Sequence, residues 1–149
     1  MMIILFHANF QGMEESISFT RRDMRDIGLK ARKLMRDRVA KGKDINDSKF
    51  KKYSDGYAKY KKKLGKNPSI VDMMDSGTLN NGIRVNAISN DTVDIETSLH
   101  RNIGEYHQTG TARGNKKREW FGISKSNESV LNKYIQNKIN NKITRWNNG

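Results

Sequence analysis

The residue type most suited to chemistry in this chain is His107, which follows Glu105 by two positions and has His100 and Glu96 upstream. Imidazoles and carboxylates together can move protons or hold a metal ion, and each task sets its own spacing. A zinc site wants histidines one helical turn apart plus a further ligand; His100 and His107 stand seven residues apart with Gly104 between them. Residues two apart on a helix do not face each other, so Glu105 and His107 make no acid–base pair on a helical stretch. The carboxylates Asp72, Asp75 and Asp91 sit among turn-forming residues and read as caps and turns. There is no cysteine, no Gly-x-Ser-x-Gly elbow and no Gly-x-x-x-x-Gly-Lys phosphate loop. The residues point away from catalysis, metal and cofactor. The competing enzymatic reading is a small nuclease built on His107 and Glu105.

Structural roles suit these residues better. In Gly104-Glu105-Tyr106-His107-Gln108-Thr109-Gly110, two amphipathic rings lie between glycines, as expected for a short helix that turns sharply at each end. The following residues 109–117 contain Gly110, Arg113, Gly114, Lys116 and Lys117 and read as an exposed, mobile basic loop. Then Arg118-Glu119-Trp120-Phe121-Gly122-Ile123 offers a compact apolar strand over 118–123.

Periodicity supplies the elements that would position these phrases. Met24, Ile27, Ala31, Leu34, Met35 and Val39 recur at helical steps, which predicts a long helix over 20–41 capped by Thr20 and closed by Gly42. Its opposite face carries Arg21, Arg22, Arg25, Lys30, Arg32, Lys33, Arg36 and Arg38. A second helix over 127–145 has Val130, Leu131, Tyr134, Ile135, Ile139, Ile143 and Trp146 on one face, with Ser126 as its expected cap. The alternating runs 83–87 and 93–96 flank Ser89-Asn90-Asp91 and predict a hairpin over 83–97. An apolar run over 2–10 predicts a further strand. The whole reads as one α+β domain, an antiparallel sheet packed against two long helices.

Charge bounds the partners. Twenty-nine Lys and Arg against 16 Asp and Glu give a net charge of +13, which favours a polyanionic neighbour, nucleic acid or acidic protein. Residues 49–66 hold eight lysines with Tyr53, Tyr57 and Tyr60 at helical spacing. Aromatics among lysines can stack on bases while the amines neutralise phosphates; the plainer reading is a short helix docked by its tyrosines. Lys59, Lys61, Lys62, Lys63, Arg113, Lys116 and Lys117 are the candidate contacts to nucleic acid or to a protein partner. The six-residue apolar start is far short of the about 20 residues of a membrane span, and neither a membrane nor a small-molecule substrate is expected. Hydrophobic residues make up only 34 %, a lean core that invites support from neighbouring subunits.

The ordered phrases resemble the bacteriophage virion-morphogenesis, or tail-completion, family. The likeness covers residues 20–143 and runs through Tyr57 and Lys61, then Asp75, Gly77 and Leu79. It continues through Tyr106, His107, Gln108 and Gly110, and ends at Arg118, Phe121 and Gly122. Family members often carry a proline beside the late arginine, where this chain has Lys117 and Glu119. The resemblance implies a small α+β structural protein without catalytic residues, active at the tail terminus or neck of a phage or prophage. It implies tail or neck proteins as partners, a homo-oligomer such as a ring, non-specific contact with DNA through basic residues, and assembly in the host bacterial cytoplasm before incorporation into the virion. The alternative is a sequence-independent nucleic-acid-binding protein.

Overall fold

Thr20 starts the helix that organises the molecule. Its hydroxyl accepts from the Asp23 backbone N–H while the Asp23 carboxylate accepts from the Thr20 N–H, a reciprocal capping box that opens α1 (Arg21–Ala40). The computed structural model describes residues 2–7, 18–73, 77–97, 103–111 and 116–149. Within them follow β1 (Met2–His7), α1, α2 (Asp55–Lys63), α3 (Thr78–Asn81), β2 (Ile83–Ala87), β3 (Thr92–Thr97), α4 (Ile103–Thr109) and α5 (Lys125–Asn148).

The three strands form an antiparallel sheet in the order β1-β3-β2. Its register sets Ile4 against Ile95 and Val85 against Ile95, so alternate residues of all three strands share one inner face. The apolar stripe of α1 packs there, and Met24, Ile27, Ala31, Met35 and Val39 are buried with Ile83, Val93 and Ile95. Gly28 lets the helix come this close: a Cβ there would lie 2.5 Å from Val85 Cγ1 and 2.7 Å from Val93 Cγ2. The hairpin turn is tied to the same helix, since Asn90 Oδ1 accepts from the Arg21 N–H at 2.8 Å.

α5 lies antiparallel to α1. Asn127 near its start meets Arg38 near the end of α1, and Lys138 and Lys142 near its end reach Asp23 at 3.3 and 2.9 Å. Burial works against the charge of Asp23, but the Thr20 N–H, Lys142 and the Thr20 hydroxyl outweigh it and hold the carboxyl far below the usual range.

The α+β class, the hairpin and both long helices agree with the sequence reading. Two details differ. Residues 118–123 lie outside the sheet: the Arg118 N–H and Glu119 carbonyl bond the backbone of His107 and Ile45, and side chains take the Trp120 and Phe121 N–H groups and the carbonyls of residues 120–122 in place of a neighbouring strand. α5 begins at Lys125 with Ser124 as its cap, not Ser126, because Ser124 Oγ accepts from the Asn127 N–H while Ser126 Oγ bonds Asp47. The first strand spans Met2–His7, and residues 8–10 lie outside the described ones.

Candidate functional site

The late phrases meet through the side chain of Gln108. It projects from α4, a two-turn helix closed by Gly110 at φ +75°, and its carboxamide faces the backbone of residues 120–121. Gln108 Oε1 accepts from the N–H groups of both Trp120 and Phe121 at 3.0 Å, and Nε2 donates to the Phe121 carbonyl at 3.1 Å. A primary amide carries its acceptor and its donors on separate atoms, so it can accept from two N–H groups and donate to a carbonyl of the same segment at once. The Trp120 indole N–H returns the tie, donating to the Gly104 carbonyl at 3.0 Å. The rings of Trp120 and Phe121 are buried and meet edge-on with centroids 5.6 Å apart.

Arg38 grips the same segment from the other side. Its guanidinium donates to the carbonyls of Trp120 and Gly122, the latter at 2.7 Å, and to Asn127 Oδ1 at 3.0 Å. The helix reading places this arginine on the wet face of α1, yet it is 4 % exposed. The signal lies in the spacing: Met24, Ala31 and Arg38 repeat every seven residues, so Arg38 continues the buried row. Burial lowers its pKa, opposed by the nearby charges of Asp47 and Asp44. Asp47 in turn adopts φ +61° and accepts from the hydroxyls of Ser124 at 3.0 Å and Ser126 at 2.6 Å, fixing the first turn of α5.

Arg118 extends the network to the lysine-rich segment. Its backbone N–H donates to the His107 carbonyl at 2.6 Å, and its Nε donates to the Lys51 carbonyl at 3.1 Å. Its guanidinium lies 5.4 Å from the centre of the Tyr53 ring, and the Lys61 ammonium lies 4.9 Å from that ring. Lys61 departs from its expected role as a surface contact. Its side chain is fully buried and ion-paired with Asp72 at 2.7 Å, so the ammonium faces inward. Burial disfavours that charge, but the hydrogen bonds that the ammonium donates to Asp72 and Tyr53, with their charge, outweigh it and raise the pKa.

His107 is half-buried beside this network. Burial and then the Arg118 charge press its pKa below the usual imidazole value, which favours the neutral ring. Glu105, on the same short helix, is exposed, and among the described residues no three His, Cys, Asp or Glu side chains gather in a metal-holding geometry. A cleft of about 210 Å³ beside Arg118 mixes signs along its wall, with Lys49, Lys51 and Lys117 alternating with Asp44 and Glu119.

Of the remaining motif residues, Gly77 takes φ +80° and Leu79 packs against the core. Gly122, at φ +149°, brings its backbone against Ile45, whose Cγ2 would lie 3.0 Å from an added Cβ. Tyr106 is exposed at 37 % and stays outside the network. Asp75 and Arg113 lie outside the described residues, as do residues 112–115 of the expected basic loop. Lys59, Lys62, Lys63, Lys116 and Lys117 are exposed; Lys116 donates to the Lys52 carbonyl at 3.1 Å and Lys117 pairs with Glu119 at 3.1 Å. Among the described residues no helix is long and apolar enough to cross a membrane. No family model, no curated protein and no solved structure matches this chain.

Proposed function

We propose that this chain is a non-catalytic virion-assembly subunit acting in tail completion or head–tail joining, in the host cell and then in the particle. The observation that carries this reading is the use to which its signature residues are put. Gln108 spends its hydrogen bonds on the backbone of residues 120–121, and Arg118 spends its own on residue 51 and the Tyr53 ring. Residues so committed fix a shape; they are not poised toward a substrate. The exposed arginines of α1 and lysines of α2 then provide a cationic exterior for acidic partners in the tail or neck, with homo-oligomerisation supplementing a lean core.

Deleting the coding sequence from a phage or prophage that carries it tests the proposal. Electron microscopy should show separate heads and tails or tails with aberrant ends, corrected by the wild-type protein supplied in trans. Normal infectious particles from the deletion would overturn it. A second reading, sequence-independent nucleic-acid contact, is favoured by one observation: Lys59, Lys62 and Lys63 are exposed on α2 together with Tyr60, itself 47 % exposed.

A further inference from the structure

α1 covers one face of the sheet, and on the other the β1 edge is open to solvent. There Ile3 and Leu5 are 47 % and 56 % exposed, and the register sets them directly across from Glu96 and Asp94 of β3. Glu96 accepts from Asn86 Nδ2 at 2.9 Å, whereas Asp94 Oδ1 is buried without a hydrogen-bond partner. On a chain of net charge +13, the β1 side of this face joins open aliphatic surface to two carboxylates, with exposed Arg84 of β2 across from Glu96 at the far edge. The β1 edge, with Asp94 across from Leu5, suits an apolar partner that carries a cation.

The chain carries a surface of that kind elsewhere. Lys142 of α5 reaches Asp23 in the first turn of α1, so the residues of α5 after it run past the end of the helix that supports it. Ile143 and Trp146 are left 37 % and 52 % exposed there, with Arg145 exposed between them. No Asp or Glu follows Glu128 in the sequence.

We infer that these two surfaces form one contact between copies of this chain. The end of α5 from one subunit lays Ile143 and Trp146 over Ile3 and Leu5 of the next, and brings Arg145 to Asp94 and Glu96. The contact mirrors on the outer face of the sheet the helix-on-sheet packing that α1 makes on the inner one. Because two different patches meet, the association is head-to-tail and propagates, closing into a ring where the rotation between subunits allows. This inference rests on the assembly reading and supplies its interface.

Sedimentation velocity and light scattering on the full chain test it, with two blocked variants. Ile3→Lys with Leu5→Lys blocks the sheet face, and Ile143→Glu with Trp146→Glu blocks the helix end. All four positions are exposed, and thermal melts by circular dichroism check that each variant folds. The wild type should self-associate with rising concentration, and each variant should associate about 30-fold more weakly or worse, as for loss of an aromatic anchor. An equimolar mixture of the two variants should regain a dimer and nothing larger, since each retains one surface. A wild type that stays monomeric, a blocked variant that associates normally, or a mixture that stays monomeric would each overturn the contact. A monomeric wild type alongside aberrant particles in the gene deletion would remove this contact and leave the assembly reading standing. An associating wild type with normal particles would do the reverse.

Discussion

Replacing Gln108 with leucine keeps the bulk of the side chain and removes its three hydrogen bonds to residues 120–121. The N–H groups of Trp120 and Phe121 and the Phe121 carbonyl then lose their partner in a segment whose side chains are 1 % and 6 % exposed. A lost bond costs about 1 kcal/mol net, and a group left buried and unpaired costs about 1–3 kcal/mol. Gln108 itself is only half-buried, so water can reach part of the gap and the lower end applies, giving about 3 kcal/mol in all. For a chain of this size that corresponds to a fall in Tm of about 6–12 °C. Gln108→Glu keeps the oxygen that accepts from both N–H groups but sets its second carboxylate oxygen against the Phe121 carbonyl, and should fall between leucine and the parent. Urea unfolding gives the free energies, and amide hydrogen exchange at Trp120 and Phe121 locates the effect. A Gln108→Leu protein within about 0.5 kcal/mol of the parent, the range of an ordinary surface substitution, with both amides still protected, would refute the lock.

Lys61 and its neighbours should separate cleanly. Lys61→Met takes the ammonium from Asp72 and removes a fully buried cation, and should cost about 2 kcal/mol, below the usual 3–5 for a broken buried pair because Asp72 is 29 % exposed and keeps the Tyr53 hydroxyl; Lys59, Lys62 and Lys63 changed together to alanine should leave urea stability nearly unchanged. If α2 contacts nucleic acid, that same triple variant, with Lys61 intact, should weaken binding to a single-stranded oligonucleotide and flatten its salt dependence. His107 makes stability depend on pH in a set direction: its pKa is lowered by folding, so between that value and the ordinary value of about 6.5 the unfolded chain holds more protons. Stability should therefore fall as pH drops through about 6.5 and level off below the folded pKa, and His107→Phe should remove that component from urea titrations across the window.

Periodicity and caps determined much of the fold before any coordinates. The stripe of α1, its Thr20 cap, the hairpin around Ser89-Asn90-Asp91 and the amphipathic α5 are all local patterns, set by residues within a turn or a few positions of each other. The short helix between Gly104 and Gly110 is of the same kind. Residues 118–123 mark where this ends. A compact apolar run suits a strand, but whether such a segment joins a sheet depends on which groups take its backbone polar atoms, and Gln108 and Arg38 take those of residues 120–122 here.

The identity of the buried charges was likewise decided only in three dimensions. Lys61 looks like any of its lysine neighbours until Asp72 and Tyr53 close around it, and Arg38 looks solvated until the carbonyls of Trp120 and Gly122 arrive from more than 80 residues away. Sequence alone determined the charge, the helices and the turns, because propensity and amphipathicity act over short stretches of chain. The tertiary structure decided which cations face inward, which serine caps α5 and which surfaces stay open to solvent, because a buried polar group is fixed by the distant partner that satisfies it.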